Sequence, residues 1–450
     1  MSAPVILSEL ARELASEATS DPTSQPTLEL IPHHAADVRR HARTDTLRVA
    51  LLGCGNIGGA LVGAVDPSLG IEIVSALVRD PARVRPLPAS RVRTRIADVL
   101  ADRPDVIVEC LGGIDDPAAM CERALAAGID VVTANKSMLA NALPALAAAA
   151  ARGGAVLHVD ASVCAGVPVL DAVARLRWAR IRSISGIVNG TCNFILDSLA
   201  QVGATFDGAV QEAVRRGYAE PDPSADLSGR DSVEKACLLA AAAGFGAVRP
   251  GQVAVQSLVG PDGGPSLADI IALRGLGVAV RCVVRVEWTA DGLLLRVAPT
   301  VLDAGDPLAM ARGTENLVTV DTELAGTVTL RGPGAGANPT VAALLADLMA
   351  CRERRAGWAT LVPLAPAHVV SAAREERVVA CVSEWRKSPA ELLEIARGVG
   401  VELRGCEFRR ESAVVDVVGS RVALDAAMTR LRAAGAGVRA FAAGEGLGLG

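Results

Sequence analysis

Lysine is nearly absent from this 450-residue chain: Lys136, Lys235 and Lys387 are the only ones among 45 basic residues. Aromatic residues are also scarce, at 2 % with a single tyrosine, and no basic excess exists, since the net charge is −5. A nucleic-acid partner, which needs a basic footprint and stacking rings, is therefore not expected. No Cys-x-x-Cys pair occurs among the ten cysteines, and His33, His34, His41, His158 and His368 keep no ligand spacing. That argues against a disulfide framework or a zinc module and for reduced, core-filling thiols. No apolar run reaches the length of a membrane span, because the alanine-rich stretch 139–157 is broken by Pro144 and Arg152. A secretory pattern is missing too, and Glu9, Glu13 and Glu17 oppose a transit peptide. The expectation is a cytoplasmic protein with no membrane contact.

The few lysines stand out against this background. Arginine holds its proton firmly, whereas lysine can be tuned into an acid or a base. Each lysine is thus a candidate for chemistry, with a solvated surface cation as the alternative. Along the chain, residues 1–46 read as a partly disordered extension, in which Ile6, Leu10 and Leu14 could line a short helix ahead of a Ser/Thr/Pro-rich linker. From Leu47 strands and helices alternate. Strands are expected at 47–52, 71–78, 92–96, 106–109 and 130–133, with a helix over 59–65. Such alternation implies parallel βαβ units, an α/β fold of Rossmann type.

Gly53-Cys54-Gly55-Asn56-Ile57-Gly58 joins the first strand to the first helix. In this position the first glycine makes the tight turn, the second admits a pyrophosphate and the third lets helix pack on strand, while helix amides hold the anion. The second strand ends in Val78-Arg79-Asp80. An acidic residue there reads the ribose hydroxyl of NAD and an arginine meets the 2′-phosphate of NADP. Arg79 comes first and Asp80 precedes a proline, which favours NADP(H) over NAD(H). Gly112 and Gly113 follow the fourth strand, and Thr133-Ala134-Asn135-Lys136 ends the fifth, both on the edge where such sheets bind ligands.

Two further stretches are too polar for a core. Residues 186–196 (GIVNGTCNFIL) read as strand, polar turn and helix start. In residues 217–235, the carboxylates Glu220, Asp222, Asp226, Asp231 and Glu234 precede Lys235, with Asp231 and Lys235 on one helix face. One reading is an exposed acidic loop carrying a helical salt bridge. The other is chemistry: carboxylates gripping an ammonium, and a lysine giving a proton to a developing alkoxide.

Taken in order, these motifs resemble homoserine dehydrogenase over about residues 47–350. They are joined by Asp160-Ala161-Ser162-Val163 through Gly166-Val167-Pro168, by Arg296–Thr300 with Pro307-Leu308-Ala309, and by Gly332–Gly336 with Pro339-Thr340. The resemblance implies interconversion of L-aspartate 4-semialdehyde and L-homoserine, with an amino acid as the small-molecule substrate. It makes Lys235 the proton donor, places Lys136 between nicotinamide and substrate, and assigns Glu220, Asp226 and Asp231 to substrate. Gly53, Gly55, Asn56, Ile57, Gly58, Arg79, Gly112, Lys136, Gly217 and Gly336 would border the cofactor. A sodium ion would sit at Asp160, Val163, Ala165 and Val167; the family usually has glutamate where Asp160 stands and a smaller residue at Cys164.

The implied domains are an NAD(P)-binding Rossmann domain over 47–170, completed by 331–360, and a catalytic and dimerisation domain over 171–330. Residues 372–445 read as βαββαβ and resemble an ACT domain, although Lys387-Ser388-Pro389 replaces the usual Pro-Gly turn. A homodimer or homotetramer is expected. Two alternatives remain at this point: a paralogue reducing a related amino-acid semialdehyde, and a catalytically inactive amino-acid sensor.

Overall fold

The structure, a computed structural model, describes residues 46–200, 205–259, 266–360, 362, 364–370, 376–409, 412–444 and 447. The expected helix over residues 6–14 lies outside the described residues. Six parallel strands form the first sheet: β1 (Leu47–Leu52), β2 (Ile71–Leu77), β3 (Val92–Arg93), β4 (Val106–Glu109), β5 (Asp130–Thr133) and β6 (Leu157–His158), in the order β3-β2-β1-β4-β5-β6. Strand β1 is buried on both faces except at Arg48. That side chain reaches the edge instead, donating to the carbonyls of Asp102 (2.6 Å) and Arg103 (3.2 Å). The third strand is shorter than expected: only Val92 and Arg93 pair with β2, and Ile96 already opens a helix.

Helix α1 (Asn56–Ala64) starts three residues earlier than its sequence reading, directly on the glycine turn. Helices α2 (Ile96–Ala101), α3 (Asp115–Ala126) and α4 (Lys136–Gly153) follow. Cys121, Leu125, Met138 and Leu139, from α3 and α4, pack with Ala50, Leu52 and Ile107 on one face of the sheet. The other face, Val49, Leu51 and Val108, packs with Leu61 of α1 and with Leu344 and Leu348 from far along the chain.

Next come α5 (Val169–Leu176), β7 (Ile181–Ile187), α6 (Gly190–Leu199), α7 (Phe206–Arg215), the single turn α8 (Ser224–Leu227) and α9 (Arg230–Ala242). After β8 (Ala254–Val255) and α10 (Leu267–Arg274), two twelve-residue strands, β9 (Val278–Thr289) and β10 (Gly292–Asp303), pair antiparallel along their whole length. Strands β11 (Glu315–Thr322) and β12 (Gly326–Pro333) complete this part, and α11 (Ala337–Arg352) returns to cover the first sheet. Beyond β13 (Val369–Val370), the chain runs β14 (Glu376–Ser383), α12 (Pro389–Arg397), β15 (Glu402–Arg409), β16 (Ser412–Gly419), α13 (Arg421–Ala433) and β17 (Gly437–Ala443), the expected βαββαβ order.

The second sheet is continuous, in the order β12-β11-β7-β9-β10-β17-β14-β16-β15. The C-terminal strands join it where β17 pairs with β10 in parallel, at Thr300–Ala442 and Val301–Ala443. Helices α12 and α13 close a separate core around Leu392, Leu424 and Val415, while Val379, Cys381 and Phe441 on the opposite face join the main core. All ten cysteines are free, and all but Cys110 and Cys406 are buried. Among the described residues no helix is long and apolar enough to cross a membrane.

Candidate active site

At the Gly-rich turn the three glycines have different surroundings. Gly53 adopts φ +96°, and a Cβ there would lie 2.8 Å from the Cys110 carbonyl oxygen. A Cβ at Gly58 would collide with the Gly53 carbonyl, so this glycine holds helix against turn. Gly55 faces open space and caps α1 without any side-chain bond, which leaves the first helical amides available. This cradle fits a dinucleotide pyrophosphate. Gly112 (φ +75°), Gly217 (φ +71°) and Gly336 (φ +111°) adopt backbone conformations that favour glycine, and Gly112 and Gly217 have open space where a side chain would be. Asn56 is exposed and Ile57 half-buried on the same turn, and Arg79 stands exposed just past β2.

Glu109 was passed over by sequence reasoning, yet it fixes this edge. It is fully buried at the end of β4. Its carboxylate accepts the Leu111 amide (2.8 Å) and the Thr133 hydroxyl (2.6 Å). Asn135 in turn accepts the Met138 amide and so caps α4, whose first residue is Lys136. The lysine is thereby aimed from a fixed helix start.

Lys136 reaches Asp231 Oδ1 at 3.2 Å, and Lys235 reaches Asp231 Oδ2 at 2.9 Å. One buried carboxylate thus bridges two of the three lysines in the chain. The Lys235 ammonium also donates to the Val188 carbonyl at 2.7 Å. Asn189 donates to both Asp226 (2.7 Å) and Asp231 (2.8 Å), while its own oxygen accepts the Cys192 amide and caps α6. Asn316 donates to the same Val188 carbonyl at 3.1 Å. Neither asparagine was singled out from the sequence. Asn189 lay inside the polar 186–196 stretch, whereas nothing in the local pattern marks Asn316, which comes from β11.

The electrostatics follow from this packing. Burial works against the Asp231 charge, but the Lys235 and Lys136 ammoniums and the bonds from Lys235 and Asn189 outweigh it and hold its carboxyl down to about 2. Burial likewise opposes the Lys235 charge, and Asp231 more than compensates, so this ammonium holds its proton above the ordinary lysine range. Burial pushes Asp226 upward, helped by its neighbour Asp231 and resisted by the Asn189 bond. The exposed-acidic-loop reading therefore fails for Asp231, whose side chain is 11 % exposed. Glu220 does lie on the exposed loop, with no hydrogen bond or ion pair among the described residues. Lys387 is an ordinary surface cation.

Around the expected cation position, the Asp160 carboxyl accepts the Asp171 amide at 3.0 Å, inside the first turn of α5. Its carboxylate is directed to a helix start, so a sodium ion would rely on the backbone carbonyls of Val163, Ala165 and Val167. Cys164 and Ala165 both take positive φ in that turn (59° and 42°), a strained conformation for residues with a Cβ. Among the described residues no group of three His, Cys, Asp or Glu side chains is placed to hold a metal ion.

Comparison with known proteins agrees with this geometry. The family model described as homoserine dehydrogenase, NAD binding domain, matches residues 53–160, and the one described as homoserine dehydrogenase matches residues 168–349. A homoserine dehydrogenase of Corynebacterium glutamicum is 34 % identical over 324 residues, 68 % of this chain and 72 % of that protein. One from Synechocystis is 33 % identical over 320 residues, covering 68 % and 73 %. Among solved structures, a homoserine dehydrogenase from Thiobacillus denitrificans superposes with a TM-score of 0.79 at 26 % identity, over 88 % of this chain and 98 % of that one. The S. aureus homoserine dehydrogenase at pH 7.5 gives 0.72 at 25 % identity, over 89 % and 100 %.

Proposed function

The chain belongs to the homoserine dehydrogenase family, and from that premise we propose how its own residues interconvert L-aspartate 4-semialdehyde and L-homoserine. The observation that carries the assignment is the Lys136–Asp231–Lys235 bridge, with Lys235 buried, beside the cofactor edge. A bound nicotinamide supplies hydride to the aldehyde carbon. Lys235 gives the proton to the aldehyde oxygen; two of its N–H bonds are committed to Asp231 and Val188, and the third is free for substrate. In the reverse direction the same nitrogen accepts the hydroxyl proton of homoserine. Asp231 keeps the Lys235 ammonium charged and joins it to Lys136, and Asn189 fixes its carboxylate together with that of Asp226. Asp226 and the exposed Glu220 take the substrate ammonium, and Lys136 lies between the two reactants.

Several finer readings complete the proposal. NADP(H) is favoured over NAD(H), with Arg79 meeting the 2′-phosphate. No step is routed through sodium. Residues 47–170 with 331–360 form the cofactor domain, 171–330 the catalytic and dimerisation domain, and 372–445 an ACT-like domain, a reading supported by the βαββαβ order. Self-association as a homodimer or homotetramer is supported by Trp178 and Leu324, apolar side chains 54 % and 68 % exposed on segments joined where the Leu324 amide donates to the Ala179 carbonyl. The protein is read as cytoplasmic. Steady-state oxidation of L-homoserine with NADP and with NAD tests the whole reading: turnover with NADP at the lower KM is expected. Absence of turnover with either cofactor overturns it, and preference for NAD overturns the role of Arg79.

A further inference from the structure

A cavity of about 600 Å³ lies away from the active site, between β10 of the central sheet and α13 and β17 of the C-terminal part. Its lining carries four guanidiniums, Arg296, Arg421, Arg432 and Arg439, and one carboxylate, Asp425. Arg296 and Arg421 share a single oxygen, Glu376 Oε2, at 3.2 and 3.5 Å. Arg439 bonds Asp269 (3.0 Å), while its Nε is buried without a partner. Arg432 donates to the Val438 carbonyl at 3.2 Å. Burial and the nearby Arg421 charge both disfavour the Arg296 cation, against the pull of Glu376. Arg296, Arg421 and Arg439 have more donor capacity than the acceptors around them use, and planar forks of this kind match paired anionic oxygens.

We propose that this cavity is an effector site for a small anion carrying at least two negative charges, such as a phosphorylated or dicarboxylate metabolite. A zwitterionic amino acid fits less well, because its ammonium would find only Asp425, which is 63 % exposed and already paired with Arg421.

The cavity wall reaches the substrate loop in two steps. Gln256 ties the two parts of the sheet together: its amide donates to Val297 of β10 (2.8 Å) and its side chain to Ala440 of β17 (2.6 Å). The next two residues, Ser257 through its hydroxyl (2.8 Å) and Leu258 through its amide (2.9 Å), both donate to the carbonyl of Leu227. Leu227 directly follows Asp226. An anion that draws Arg421, Arg432 and Arg439 together shifts the seat of residues 256–258, and with it the Asp226 carboxylate. Linkage then requires substrate and anion to change each other's affinity by one factor.

The test is calorimetric titration of the full chain, saturated with NADP, with pyrophosphate and with succinate at constant ionic strength. Chloride and glycine serve as controls, and the Arg421→Gln/Arg432→Gln double variant, which touches no active-site group, as the comparison. The expected result is saturable binding of at least one dianion, weakened at least ~10-fold in the double variant. The same anion should shift KM for homoserine at least ~2-fold in the wild type only, with kcat of the anion-free double variant unchanged. Binding of pyrophosphate alone identifies phosphate chemistry, and binding of succinate identifies dicarboxylates. No binding beyond the chloride control, equal binding by the double variant, equal binding of glycine, or binding without a KM shift each overturns the proposal.

Discussion

Replacing Asp231 by asparagine keeps the shape of the site and removes the one charge that separates two ammoniums. In the native site Lys235 and Lys136 stand 2.9 and 3.2 Å from its two oxygens. With the Lys235 ammonium about 4 Å from the centre of the carboxylate charge, an effective dielectric near 20 makes the attraction lost in the variant roughly 4 kcal/mol. That corresponds to about three pH units on Lys235, of which the asparagine amide dipole recovers part. Lys235 starts above the ordinary lysine value. Homoserine oxidation needs it unprotonated, so kcat for oxidation rises with pH towards that raised value. In Asp231→Asn the rising limb should move to lower pH by at least ~2 units, while kcat for aldehyde reduction begins to fall at lower pH. Initial rates of homoserine oxidation at saturating substrate and cofactor, from about pH 6 to about pH 10.5, measure the limb. A limb that stays within ~0.5 unit of the wild type refutes the idea that Asp231 sets the proton affinity of Lys235.

Lys235→Ala should lower kcat at least ~10²-fold with Kd for NADPH little changed; near-normal turnover would move the proton-donor role to Lys136. Glu220→Gln should lower kcat/KM for homoserine at least ~10-fold, chiefly through KM. Kinetics of that variant within about twofold of wild type would return Glu220 to an ordinary loop position. Arg79→Ala should weaken NADPH binding far more than NADH binding, because only the former carries the 2′-phosphate; equal loss for both would show that Arg79 does not read it.

The first sheet was legible because burial on both faces leaves continuous apolar runs such as 47–52, and the glycine turn is local. Strand β3 was overdrawn because two residues of pairing leave no periodicity to read, and Arg93, Thr94 and Arg95 are as compatible with a loop. The early start of α1 reflects a helix that begins on glycine and asparagine, residues that propensity alone assigns to turns. At the active site, Lys136, Asp231 and Lys235 could be nominated from rarity and spacing. Their common bridge could not, since 95 residues separate the first from the second. Asn189 and Asn316 act through bonds to backbone and to other polar groups, and such bonds leave no mark on composition. The continuity of the second sheet escaped for a related reason: two residue pairs between β10 and β17 carry it.

Helix α11 gives the protein an order of completion that differs from its order of synthesis. One face of the first sheet, with Val49, Leu51 and Val108, packs with Leu344 and Leu348 of that helix. On a ribosome adding about 5–20 residues per second, the roughly 180 residues between the last strand of that sheet and α11 take on the order of 10–40 s. For that interval part of the sheet is without its cover, and strands β7 to β12 emerge first. The first sheet, although it is made first, is finished after the strands β7 to β12 of the second. A gene fragment ending near residue 170 would therefore encode the Gly-rich turn without the helix that closes its hydrophobic floor, and shuffling this domain into another protein would require carrying both pieces.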